Sequence, residues 1–122
     1  MSEASKLARL IAKLDALTGQ SVLTWSIADP IGLELPHGDS VIGQVYECIL
    51  EGQRFRLYKY STRDWRDEDE FEWVERVNLD FMDVHDRTQY STSDVAGTWG
   101  LLKTVQVKTH RIDETIDKIL KL

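Results

Sequence analysis

Apolar residues near the start of the chain recur at helical spacing. Leu7, Leu10, Ile11, Leu14 and Leu17 follow the i, i+3, i+4, i+7 rule, while Lys6, Arg9, Lys13 and Asp15 take the other side. The pattern predicts an amphipathic helix over 3–18 that offers one face to a core. Gly19 stands where a helix ends on a residue of positive φ.

The period then changes to two. Leu23, Trp25 and Ile27 alternate with Val22, Thr24 and Ser26, which predicts a short strand over 21–27. Ala28 to Gly43 holds both prolines and three of the seven glycines, so a long loop is expected. Ile31, Leu33 and Leu35 alternate inside it and could form a short edge strand. The clearest element lies over 44–60, two strands joined at Glu51-Gly52. A two-residue turn there sets Cys48 against Phe55 and Tyr46 against Leu57 on a buried side, and Glu47 against Arg56 on an open side. Arg54, Arg56, Tyr58 and Tyr60 share that open side.

Residues 71–84 predict another long strand, with Phe71, Trp73, Val77, Leu79 and Phe81 on one face and Arg76, Asn78, Asp80 and Met82 on the other. Glu75 interrupts the apolar set and suggests a bulge or a late strand start. His85-Asp86-Arg87 reads as a turn and Thr88 to Thr92 as a returning strand. Ser93 or Asp94 could cap a helix running to about residue 109, with Trp99, Leu102, Val105 and Gln106 in one stripe. A last helix, Asp113 to Lys121, has acids first, bases last, and Ile112, Ile116, Ile119 and Leu120 on one side. The order predicts one α+β domain over 1–122: an antiparallel β-meander of about four to five strands, packed by an N-terminal helix and C-terminal helices as a two-layer sandwich.

Composition narrows the classes of function. With 42% apolar and 30% charged residues, the 122-residue chain is globular in character. A net charge of −6 and a pI near 5.0 disfavour nucleic acid and an anionic membrane, and permit a basic protein partner. There is one cysteine, no run approaches a membrane span, and the first residues lack the layout of a signal peptide. A cytoplasmic location is therefore expected.

No nucleophile elbow, phosphate loop or paired metal motif occurs, so no catalytic residue, metal or cofactor is assigned. Cys48, placed inside the hairpin, reads as a small buried hydrophobe rather than a nucleophile. The segment 63–76 holds three arginines against seven acids, a local balance of −4, with Trp65 and Trp73 among them. Aromatic anchors in a charged surround have the composition of a protein-binding hot spot. Trp65, Asp67, Glu68, Asp69, Glu70 and Trp73 are thus the expected partner-binding residues. They point to a non-enzymatic interaction module, such as an inhibitor, an immunity-type neutraliser, an adaptor or an assembly subunit. The rival expectation is a small-ligand or nucleotide site, even a weak metal-dependent hydrolase, built from His37, Arg54, Arg56, Asp80, Asp83 and His85 between the sheet and the 28–43 loop. As a third possibility, the apolar faces of the first and last helices could either seal one core or pair two copies as a homodimer.

Overall fold

The computed structural model describes residues 3–29, 35, 38–92 and 95–122, with side chains from residue 6 onward. Helix α1 (Glu3–Gly19) leads into strands β1 (Ser26–Ala28), β2 (Ser40–Leu50), β3 (Gln53–Trp65), β4 (Phe71–Met82) and β5 (Thr88–Thr92), followed by helices α2 (Thr98–Thr109) and α3 (Ile112–Leu120). The strands form one antiparallel sheet in the order β1-β2-β3-β4-β5. This is the α+β meander that the alternating pattern predicts.

Helices α1 and α2 cover one face of the sheet. Ile11 and Leu14 of α1, with Leu101, Leu102 and Val105 of α2, bury against Tyr46, Cys48, Phe55, Leu57, Val77 and Leu79. All of these sheet residues point the same way, because side chains two apart share a face. Leu23 and Trp25 close the end of this core. The Trp25 indole N–H donates to the Thr18 hydroxyl at 2.9 Å, and that hydroxyl donates to the Leu14 carbonyl at 2.7 Å. The one polar edge of the indole is thereby satisfied without water. Gly97 precedes α2 at φ +95°, a conformation that strains an L side chain, and a Cβ there would lie 3.2 Å from the Ile11 side chain, which would have to give by a few tenths of an ångström.

The β2–β3 hairpin has the predicted register: Tyr46 opposite Leu57, Glu47 opposite Arg56, Cys48 opposite Phe55. Glu51 and Gly52 both have positive φ, as a two-residue type I′ turn requires. Burial pushes the Cys48 thiol up to about 12, in keeping with a packing role.

Several expectations are corrected. Gly19 is the last helical residue and does not have positive φ; Ser21 takes the left-handed turn at φ 61°. Sheet pairing begins at Ser26, although Leu23 and Trp25 are buried and Val22 and Thr24 exposed as alternation predicts. Ile27, expected on the buried face, is half exposed on the edge strand. Glu75 marks neither a bulge nor a late start, since β4 begins at Phe71 and the β3–β4 register is unbroken from Arg54–Met82 to Trp65–Phe71. Gly97 rather than Ser93 or Asp94 precedes α2, and those two residues lie outside the described ones. Thr98, Leu101, Leu102 and Val105 face the core and Trp99 is exposed, so the buried stripe is not the one expected through Trp99 and Gln106.

The opposite face of the sheet is not open along its length. Val45, Tyr58 and Tyr60 are buried there, with Ala28, Leu35 and Val41 packed against them. Residues on both sides of the expected edge strand thus cover the far face; Ile31 and Leu33 lie outside the described residues.

Candidate functional site

The β3–β4 hairpin outruns its neighbours. β2 pairs with β3 only as far as Ser61, and β5 pairs with β4 only from Leu79 onward, while β3 and β4 stay paired to Trp65 and Phe71. Among the described residues, the sheet beyond Ser61 is a two-stranded ribbon.

Its two faces differ. On the helix side, successive cross-strand pairs run from the core outward. Phe55–Phe81 and Leu57–Leu79 belong to the core and its margin. Next come Lys59–Val77 and Ser61–Glu75, where Lys59 and Glu75 form a salt bridge at 3.6 Å. Then apolar character returns at Arg63–Trp73 and Trp65–Phe71. Trp65, Phe71 and Trp73 are 51%, 39% and 57% exposed. Their rings touch in sequence, Trp65 to Phe71 at 4.9 Å and Phe71 to Trp73 edge-on at 5.6 Å. The Arg63 guanidinium lies 5.4, 5.6 and 5.9 Å from the three ring centroids, within cation–π range of each. The polar pairs at 59–61 and 75 separate this patch from the core, so it is a second apolar surface and not the rim of the first.

The other face and the turn are acidic. Asp64 stands directly opposite Glu72, a like-charge pair that opposes strand pairing. Arg66 bonds Glu72 at 2.7 Å and relieves part of that repulsion. Asp67 through Glu70 form the exposed turn. Within it the Asp67 carboxylate accepts the backbone N–H groups of Asp69 and Glu70 at 2.8 and 2.9 Å. Asp67 therefore shapes the turn. Glu68, Asp69 and Glu70 are left at its exposed tip. Among the residues expected from sequence, Trp65, Trp73 and the acids 67–70 come together at this one end of the molecule. Arg63 and Phe71 belong with them and were missed. Their signal lay in the cross-strand register, which extended from Phe55–Phe81 sets 63 opposite 73 and 65 opposite 71.

Of the rival set, Arg56 and Asp80 come together, while the other described members, Arg54, Asp83 and His85, do not join them. Arg56 and Asp80 form a pair at 3.6 Å on the far face, with Asp80 only 1% exposed. Asp80 also accepts the Ser91 hydroxyl at 2.6 Å and the Thr88 hydroxyl at 3.3 Å, and Asn78 donates to Ser91 at 3.1 Å. Asp80 was expected to face solvent; instead it is the centre of a buried network. Burial, with the Asp80 charge adding to it, holds the neighbouring Tyr58 hydroxyl far above its ordinary range. Asp83 turns away to accept the N–H groups of His85 and Arg87, at 2.8 and 3.0 Å. Arg54 pairs with Glu47 and Asp86. His85 is exposed, and His37 lies outside the described residues. Among the described residues no group of three or more His, Cys, Asp or Glu side chains is placed to hold a metal ion, and no helix is long and apolar enough to cross a membrane.

Compared with models of known protein families, with curated proteins and with solved structures, the chain matches none.

Proposed function

We propose that this chain is a non-enzymatic protein-interaction module that docks a basic surface of a partner protein on the free end of the β3–β4 hairpin. The observation that carries the reading is the isolated aromatic patch Trp65–Phe71–Trp73, exposed in water and cut off from the core by the Lys59–Glu75 pair. Large aromatics in one patch, with arginine among them, are the residue types that dominate binding energy at interfaces. Seven acids in the 63–76 segment attract and select a basic partner, mainly by speeding encounter. The Asp64–Glu72 juxtaposition costs folding energy, which contact with a cationic partner would recover. The roles this suits are inhibitor, neutraliser, adaptor or assembly subunit.

The test is a pull-down with tagged protein, comparing wild type with Trp65→Ala/Trp73→Ala and with Glu68→Lys/Asp69→Lys. Asp67 is spared because it holds the turn. The aromatic pair should lower affinity by at least about 30-fold, since a hot-spot truncation is worth 2 kcal/mol or more. The charge reversal should act mainly on the association rate and should lose its effect in high salt. A basic partner retained equally by all three proteins rejects the surface.

A further inference from the structure

We infer that the partner supplies an extended basic strand that pairs with the open edge of β4 at Phe71, Trp73 and Glu75, an inference that rests on the hairpin end being the docking surface. Along an antiparallel strand, successive residues alternate in the side to which their backbone N–H and C=O groups point. Leu79 fixes the phase in β4. Its N–H donates to the Thr92 hydroxyl of β5 at 3.2 Å, and that hydroxyl donates to its C=O at 3.1 Å. The register with β3 is unbroken from Met82 to Phe71, so every second residue before Leu79 turns the same way. The alternate set points to β3: the Glu70 carbonyl accepts the Arg66 N–H across the hairpin at 2.9 Å. Phe71, Trp73 and Glu75 therefore direct their backbone groups away from β3. Among the described residues no strand lies there, because β5 ends at Thr92, opposite Leu79. All three residues are exposed.

A row of unpaired backbone groups is a template for one more strand, and the side chains along it select the sequence that is added. Phe71 and Trp73 lie on the helix side, so incoming residues opposite them gain from being apolar. Glu72, between them, turns to the far face, where Asp64 of β3 stands opposite it. Arg66 bonds Glu72 and leaves one acid of that pair unbalanced, so an incoming residue opposite Glu72 gains from being basic. The fitting segment alternates apolar and basic residues. Charge also sets aside a second copy of this chain, whose own edge would bring a segment of −4 against another of −4. An acidic edge thus repels its like and admits a basic strand. An antiparallel arrival is favoured, since it continues the direction of β5 and is the more stable pairing.

Amide hydrogen exchange of the isotope-labelled full chain, followed by NMR with and without a short synthetic peptide of alternating valine and lysine, tests this. In the free protein the Trp73 and Glu75 N–H groups should exchange faster than those of Glu72 and Val74, which bond to β3. Saturating peptide should slow Trp73 and Glu75 at least about tenfold and leave Glu72 and Val74 nearly unchanged. Methylating the peptide's valine nitrogens should weaken binding at least about tenfold, because those N–H groups point at β4. Methylating its lysine nitrogens, which point away, should change binding less than about threefold. Binding that shifts the Trp65 and Trp73 indole resonances without slowing the Trp73 and Glu75 amides overturns strand pairing and leaves the docking surface standing. A peptide that does not bind at millimolar concentration, or two methylated peptides that bind alike, also overturns the inference, and the pull-down then decides the surface on its own. Protein that dimerises without peptide and protects the same amides overturns the choice of occupant in favour of a second copy.

Discussion

Replacing Asp80 with alanine should be among the most damaging single changes in this protein. The carboxylate is almost wholly buried, accepts the Ser91 hydroxyl at 2.6 Å, and faces the Arg56 guanidinium at 3.6 Å. Arg56 is itself mostly buried and its Nε already has no hydrogen-bond partner, so it cannot compensate. Removing one member of a buried ion pair leaves an uncompensated charge and costs about 3–5 kcal/mol. The lost charge-assisted bond from Ser91 is part of that figure and does not add to it. For a chain of this size, 1 kcal/mol moves the melting temperature by roughly 3–5 °C, so a fall of about 10–20 °C is expected. Urea unfolding followed by tryptophan fluorescence gives the free energy directly. Asp80→Leu combined with Arg56→Met should recover most of the loss, because a buried ion pair is often replaced by apolar residues at little cost. A cost below about 1 kcal/mol for Asp80→Ala would mean that water reaches the far face of the sheet, and the network described here would be wrong.

Other consequences are open to direct measurement. In the β2–β3 turn, Gly52→Ala should cost about 1–2 kcal/mol, because an L residue is forced to φ +77°. Glu51→Asn should stabilise by a few tenths of a kcal/mol, since Asn suits the first position of a type I′ turn; chemical denaturation reads both. The Cys48 thiol, pushed up to about 12, should react with iodoacetamide at pH 8 only as fast as the protein unfolds. Prompt labelling of the native protein would contradict that burial. The Arg87 backbone N–H, then that of His85 and the Arg87 cation, hold the Asp83 carboxyl below its ordinary 3.8. A lowered folded-state value gives stability that is present above the unfolded-state value and is lost as pH falls through the folded one. Asp83→Asn should therefore flatten the stability–pH curve from about pH 4 downward and leave its slope near neutrality unchanged.

Local patterns were easy to read and long-range ones were not. The α1 stripe and the Glu51-Gly52 turn each depend on residues within a few positions of one another, and both were recoverable from period and turn chemistry. Tyr58 and Tyr60 read as exposed because their cover, Ala28, Leu35 and Val41, comes from distant chain whose contact leaves no periodic trace. Asp80 was misplaced for the same reason: its partners Arg56 and Ser91 lie on neighbouring strands. β3 extends past Tyr60 to Trp65 although Ser61 to Asp64 shows no apolar alternation, because pairing with β4 sets its length. That extension carries Arg63 and Phe71 into the aromatic patch. In α2, Gly97 starts the helix later than the Ser93-Asp94 signal implied, and packing of Leu101, Leu102 and Val105 against α1 and the sheet leaves Trp99 outside.

The central claim is that the Trp65–Phe71–Trp73 patch is covered by another protein in the cell. Site-specific incorporation of a photo-crosslinking phenylalanine analogue at position 73 tests it most directly, with position 84, in the turn beyond the opposite end of β4, as an exposed control. The prediction is one dominant covalent adduct from position 73, with a protein of basic surface, and none from position 84. An absence of adducts from position 73, or the same adducts from both positions, would contradict it.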